Sequence, residues 1–373
     1  MKLVIFGLTV TSSWGNGHAT IWRGLCRALA HRGHCVHFFE HDVPYYAETR
    51  DLFSLPKPGK LTLYSDWEDV QAEARAALNE ADLALVTSYC PDAITASQLL
   101  FESSAAIRAF YDLDTPVTLD RLQQHGSVDY LPPQGLSDFD LVLSYTGGRA
   151  LDELRSRLGA RTAIPLYGSV DPETHFPVPA ADEYRCDLSY LGTFAEDRQK
   201  SLEKLFVEPA RLLPERRFLM AGAQYPHEFP WTPNIFFARH LPPVLHPAFF
   251  CSSRATLNVT RRAMAQYGYC PSGRLFEAAA CGVPLLSDDW EGIDVFFTPG
   301  SEFLQVRTPE DVVEAFDRSD AELVRMAQAA RERTLAEHTA DRRAQQLEEI
   351  CATWASRGGE TAERNPSAAA AAS

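Results

Sequence analysis

Arg274 and Glu277 are the two charged residues between Ser272 and Pro284, where the stretch CPSGRLFEAAACGVPLLSD, residues 270–288, is otherwise small or apolar. Ser272 is a natural N-cap, Gly282 a natural helix stop, and Pro284 bars continuation, so the stretch is expected to be a short helix feeding a buried strand. Arg274 then sits in the first turn, where the helix dipole disfavours a cation. Two arrangements resolve this. Arg274 and Glu277 pair with each other three residues apart. Alternatively, a phosphate docks on the helix start, taking the backbone N–H groups of Gly273 and Arg274 and the guanidinium, while Glu277, one turn deeper, accepts from the vicinal hydroxyls of a ribose. A nucleoside diphosphate offers both groups.

Other chemistry-bearing residues stand just after apolar runs. The loop TVTSSWGNGHAT carries Gly15, Asn16 and Gly17, which let a ligand approach the backbone, and His18 at a helix start. Asp112 and Asp114 in FYDLDTPVTL are a base, an orienting partner for His18, or turn and cap carboxylates. Gly192 and Thr193 in YLGTFAEDRQ are small, and Arg198 follows them. Asn258 and Arg261 in TLNVTRRAM end another apolar run. Arg198, Arg261 and Arg274 could converge on one anion, because a guanidinium donates two parallel hydrogen bonds to phosphate.

The elements that must position these residues alternate along the chain. KLVIFGL, HCVHFFE, LTLYS, DLALVTSY, AAIRAFYD and DLVLSYT are expected strands, several of them separated by amphipathic helical segments. A Pro-rich linker over residues 164–186 follows, and the alternation restarts with DLSYLGT, RFLMAGA, NIFFARHL, ATLNVTR, VPLLSD and EFLQVR. Such alternation implies α/β architecture with parallel sheets covered on both faces. The expected division is 1–168 and 169–335, two tandem Rossmann-like doubly wound domains facing across a cleft. A helix over 336–355 packs back on the first domain, and 356–373 is a disordered tail. Ligands of such sheets bind beyond the carboxyl ends of the strands.

Composition narrows the function classes. A net charge of −15 argues against a nucleic-acid partner, which needs clustered Lys and Arg. No run reaches the length of a membrane span, so no integral membrane segment is expected. The eight cysteines form no CxxC pair, which fits reduced thiols in a cytoplasmic protein without a zinc site.

At these residues the sequence resembles the GT-B-fold glycosyltransferases, in particular the CgeB-like group with a C-terminal domain of the "glycosyl transferases group 1" type. The resemblance rests on GSVDPETHFPV, PSGRLFEAAACGVPLLSD, SSWGNGHAT, YDLDTPVT, LNVTR and EHT at 337–339, and runs to about residue 350. It implies a nucleotide-sugar donor in the second domain, an acceptor of unspecified identity in the first, and transfer without a metal or other cofactor. It maps Glu277 onto the donor ribose, Ser272 and Arg274 onto the diphosphate, and Arg198 onto the basic residue that holds it. Many retaining relatives carry a sugar-contacting glutamate where this chain has Tyr269. An inverting enzyme needs a base, for which His18 and Asp114 are the candidates; Gly15, Asn16, Gly17 and Tyr269 are then acceptor or sugar contacts. The competing reading is a Rossmann-like sugar-nucleotide epimerase or NAD-dependent enzyme, with Glu40 after HCVHFFE as the ribose carboxylate. A catalytically silent nucleotide-sugar-binding protein is the third.

Overall fold

The computed structural model describes residues 1–363. The first seven strands are β1 (Lys2–Gly7), β2 (Cys35–His41), β3 (Lys60–Tyr64), β4 (Leu83–Thr87), β5 (Arg108–Asp112), β6 (Leu141–Ser144) and β7 (Ala163–Pro165). They form one sheet in the order β3-β2-β1-β4-β5-β6-β7, with every pair parallel. The other six are β8 (Cys186–Leu191), β9 (Phe218–Gly222), β10 (Ile235–Arg239), β11 (Ser253–Asn258), β12 (Leu285–Ser287) and β13 (Leu304–Gln305). Their order is β10-β9-β8-β11-β12-β13, again all parallel.

The apolar runs explain this arrangement. Leu3 and Ile5 of β1 enter one buried cluster, while Val4 and Phe6 enter another on the opposite face. A strand buried on both sides reads as a continuous apolar run rather than an alternating one. Both sheets reverse their strand order beside their first strand, between β1 and β4 and between β8 and β11. The crevices at these switch points are where loops can hold a ligand.

Three elements depart from the expected reading. β7 falls inside the stretch taken as linker: it has three residues, ends in Pro165 and lies at the sheet edge, where a missing N–H is tolerated. A helix over Ala93–Phe101 is present where none was anticipated. The last helix, Ala340–Glu363, runs into the stretch expected to be a disordered tail; the remainder of that stretch lies outside the described residues.

The chain passes between the two sheets twice, and the two crossings meet. Val170 N donates to His338 O at 2.9 Å, and Ala340 N donates to Val170 O at 2.8 Å. Arg343, 8% exposed, secures the place: its guanidinium donates to Tyr167 O at 2.9 Å, Gly168 O at 3.3 Å and Glu337 O at 3.1 Å. Burial and the Arg343 charge push the His338 imidazole down to about 3, so its neutral ring accepts from Arg343 at 3.2 Å. Beyond this point the last helix returns to the first sheet and buries Ala344, Leu347 and Cys351 in the cluster that holds Trp22, Leu25 and Leu29. Leu347 is fully buried there, so Leu347→Ala should cost about 2–5 kcal/mol in urea unfolding. A loss below about 1 kcal/mol would mean that the returning helix contributes little to the first domain.

Candidate active site between the two sheets

The loop after β1 is shaped by Glu40. Its buried carboxylate accepts from Thr9 Oγ1 at 2.7 Å, Val10 N at 2.7 Å and Thr11 N at 3.1 Å. All of its accepting capacity in view goes to that loop. Glu40 is therefore not placed as a ribose carboxylate, and the dinucleotide reading loses its main support. The loop ends at Asn16, whose side chain caps the helix Gly17–His31 by accepting from His18 N at 2.9 Å.

The cap sets His18 against the carboxyl end of β5. His18 Nε2 lies 3.1 Å from Asp114 Oδ2. A carboxylate accepts, so Nε2 carries the proton and Nδ1 is left as a lone pair. Nδ1 is buried with no hydrogen-bond partner among the described residues. Two residues that sequence reasoning could only set side by side are thus in contact, 96 positions apart in the chain. Asp112 plays a different part. It is fully buried and accepts from Asp114 N at 3.1 Å and Thr118 Oγ1 at 3.0 Å, holding the turn that presents Asp114.

Across the cleft, the helix Gly273–Ala280 begins at Ser272, which occupies the N-cap position without a side-chain capping bond. Gly273 and Arg274 open onto a cavity of about 420 Å³ that also reaches Gly17, His18 and Asp114. Among the described residues Arg274 makes no ion pair with Glu277 and no hydrogen bond; burial and the charge of Arg198 both push its guanidinium down from the ordinary range. Two arginines pressing on each other at one cavity mark a place where an anion would be stabilised. Arg198 is buried, donates to Thr193 O and lies over the Tyr190 ring. The expected convergence is only partial, because Arg261, though it lines the same cavity, is paired with Asp197 at 3.0 Å.

Gly15, Asn16, Gly17, Thr193 and Glu277 border both this cavity and an adjoining one of about 90 Å³. Gly192 lines the smaller one, and a Cβ there would come within 2.7 Å of the Tyr190 hydroxyl. Glu277 faces two imidazoles that the sequence gave no reason to connect: His246 Nδ1 at 3.3 Å and His175 Nε2 at 3.8 Å. Burial would raise the Glu277 carboxyl, but these imidazoles and the Arg274 guanidinium hold it down to about 2. Burial lowers His175 to about 4, so the permanently charged partner is Arg274. Tyr89 and Tyr145 also line the main cavity, and neither was expected as a site residue.

Two expected site residues lie elsewhere. Asn258 turns its amide to Ser287 Oγ at 3.1 Å and Thr260 Oγ1 at 3.4 Å, tying β11 to β12 instead of facing the cavities. Tyr269 has a left-handed backbone, φ 46°. Its ring is wedged between Gly148 and Gly292, where an added Cβ would lie 2.5 Å away at either glycine. It fills the contact between the two sheets' loops, and Gly147 N donates to its carbonyl at 3.0 Å.

Comparisons with known proteins bear on the fold. Residues 198–349 match the family described as "Glycosyl transferase-like". No curated protein sequence is similar enough to count as a match. Among solved structures, sucrose-phosphate synthase from Thermosynechococcus elongatus superposes with a TM-score of 0.66 at 14% identity, over 95% of this chain and 99% of that one. Anabaena HepE in complex with UDP and glucose gives 0.65 at 12%, over 94% and 99%. The catalytic domain of starch synthase IV from Arabidopsis thaliana, bound to ADP and acarbose, gives 0.60 at 13%, over 95% and 99%.

One titration can be read without any ligand. Burial raises the Asp112 carboxyl to about 6, against the hydrogen bonds from Thr118 and Asp114 N. A raised carboxyl stabilises the fold below its unfolded value near 3.9, and that stability is lost as pH rises through about 6. Urea midpoints at pH 4 to 7 should therefore show the wild type losing up to ~3 kcal/mol relative to Asp112→Asn across that window. A constant gap would mean that Asp112 is ionised throughout.

Residues 198–349 are thus similar to the glycosyl transferase-like family, and the chain as a whole carries the two-domain GT-B fold seen in these structures.

Proposed function

We propose that the protein transfers a sugar from a nucleoside-diphosphate-sugar donor to an acceptor hydroxyl or amine. The observation that carries this reading is Arg274, a guanidinium at a helix start with no acceptor, facing a cavity and pressed by Arg198. A diphosphate there receives Arg274, Arg198 and the N–H groups of Gly273 and Arg274. Glu277, one turn deeper on the same cavity, accepts from the ribose hydroxyls. UDP is the first nucleotide to test, because a UDP complex is among the fold relatives. The base itself would be read by the 239–245 loop, where side chains carry little code.

The acceptor enters beside the Gly15–Gly17 loop. His18 Nδ1 takes the proton of the attacking hydroxyl, and the imidazolium is stabilised by Asp114. The acceptor oxygen bonds to the anomeric carbon, the bond from that carbon to the phosphate oxygen breaks, and the electron pair leaves with the diphosphate. The two arginines and the helix dipole stabilise that charge, so the reaction requires no metal ion. Tyr269, turned away from the cavity, supplies no sugar contact, and its position offers no carboxylate for a retaining route. Inversion at the anomeric carbon is the outcome of this arrangement. We place the enzyme in the cytoplasm, on its eight free cysteines; among the described residues no helix is long and apolar enough to cross a membrane.

Arg274→Ala should weaken UDP binding about 10–100-fold by calorimetry, the cost of one charge-assisted phosphate contact. Unchanged affinity removes the phosphate role. His18→Ala should lower donor turnover about 10²–10⁴-fold while leaving donor affinity within a few-fold. A retained anomeric configuration in the product, read by NMR, would overturn the base assignment.

A further inference from the structure

We propose that His175, His246 and Glu277 form a three-ligand site for a divalent transition-metal ion of the zinc class, at the inner wall of the donor cavity. Three separate segments supply the ligands: the linker, the start of the helix His246–Cys251, and the helix Gly273–Ala280. His175 Nε2 is 3.3 Å from His246 Nδ1, His246 Nδ1 is 3.3 Å from Glu277 Oε2, and His175 Nε2 is 3.8 Å from Glu277 Oε2. An ion held at about 2.0–2.1 Å by tetrahedral N and O ligands requires ligand atoms about 3.3–3.4 Å apart. Two edges of the triangle have that length, and the third needs a small adjustment.

Two neutral imidazoles do not satisfy these groups. His246 Nε2 lies 3.1 Å from Leu241 O and donates to it, which leaves Nδ1 as a lone pair pointing at the cluster. His175 Nε2–H can donate to that lone pair. With His246 neutral, Glu277 Oε2 is buried without a hydrogen bond among the described residues, 3.3 Å from Nδ1, and only a second proton on that ring or a metal ion would satisfy it. A cation between them removes the repulsion. The Leu241 carbonyl is the outer-shell partner that metal-bound imidazoles characteristically have, fixing tautomer and ring orientation. His175 is 1% exposed, His246 8% and Glu277 7%, so the ligands are shielded from bulk water. Two imidazoles and one carboxylate favour zinc-class ions over magnesium or calcium. The fourth position opens toward the smaller cavity, which both His246 and Glu277 line.

This ion takes no part in the transfer proposed above. It occupies the carboxylate that reading assigns to the donor ribose, so ion and donor would oppose each other by one common factor. The enzyme would then be inhibited by free zinc rather than dependent on it.

Co²⁺ titration of the full chain tests the site, since tetrahedral Co²⁺ has intense visible bands. One Co²⁺ per chain is expected, displaced by Zn²⁺, with no thiolate-to-metal charge-transfer band despite eight free cysteines. His175→Ala and His246→Gln should each weaken binding more than about 100-fold, beyond the loss of an outer-shell partner. Each variant is checked for a cooperative melt, and if one fails to fold the other carries the test. The proposal is overturned if the native chain shows no such bands, if the bands survive in a folded histidine variant, or if a thiolate band accompanies them. UDP binding measured on the same samples, with and without Arg274→Ala, separates failure of the ion site from failure of the phosphate reading.

Discussion

A parallel strand cannot be joined to its neighbour by a tight turn. That constraint governs this protein, because every strand pair in both sheets is parallel. Each connection must cross a face, so both faces are covered and the central strands are buried almost throughout. The carboxyl ends of all strands in a sheet lie along one edge, and the loops that follow them are the places where chemistry can be held. His18 follows β1, Asp114 follows β5, Arg198 follows β8 and Arg261 follows β11. Setting two such edges face to face leaves a cleft whose walls are built from the loops of different domains.

Within the cleft, charge is distributed unevenly, and the differences matter more than the chain's overall balance. A protein with net charge −15 presents two arginines at its central cavity. Asp197 neutralises a third, Arg261, while among the described residues Arg198 and Arg274 form no salt bridge. The local potential is set by these few groups within about one Debye length of roughly 8 Å, over which distant acids are screened. An acidic surface and an anion-binding cleft are therefore compatible in one molecule.

How much of this was legible in the sequence depended on whether the signal was local. Twelve strands announce themselves as apolar runs bounded by turns, whereas β7 is too short to form a run and ends in a proline. The oddity of Arg274 is visible in one helix, because a cation in the first turn is locally unfavourable. His18 and Asp114 could be named from their positions after strands, since the topology brings such positions together. Other features depend on pairings that sequence does not encode by spacing. Glu40 looks like a ribose carboxylate until the partners on Thr9, Val10 and Thr11 are seen. His175 and His246 are 71 residues apart and meet only because linker and second sheet pack together. Tyr269 is placed by a backbone angle that tyrosine rarely adopts and by two glycines far from it in sequence.

The double crossing at Val170 and Thr339 has a mechanical consequence. Two chain segments bonded to each other at one point behave as a pin: they resist sliding of the domains but offer little resistance to rotation. Arg343 fastens that pin with bonds to backbone carbonyls on both segments, so any turning of the domains would have its axis held there. Displacement about a fixed axis grows with distance from it. Contacts close to such an axis would barely change, whereas those across the cleft, such as the Trp14 ring lying 4.2 Å from His240, would shift in proportion to their distance from it. The reach of the cleft is thus set by a lever whose short arm is a buried arginine.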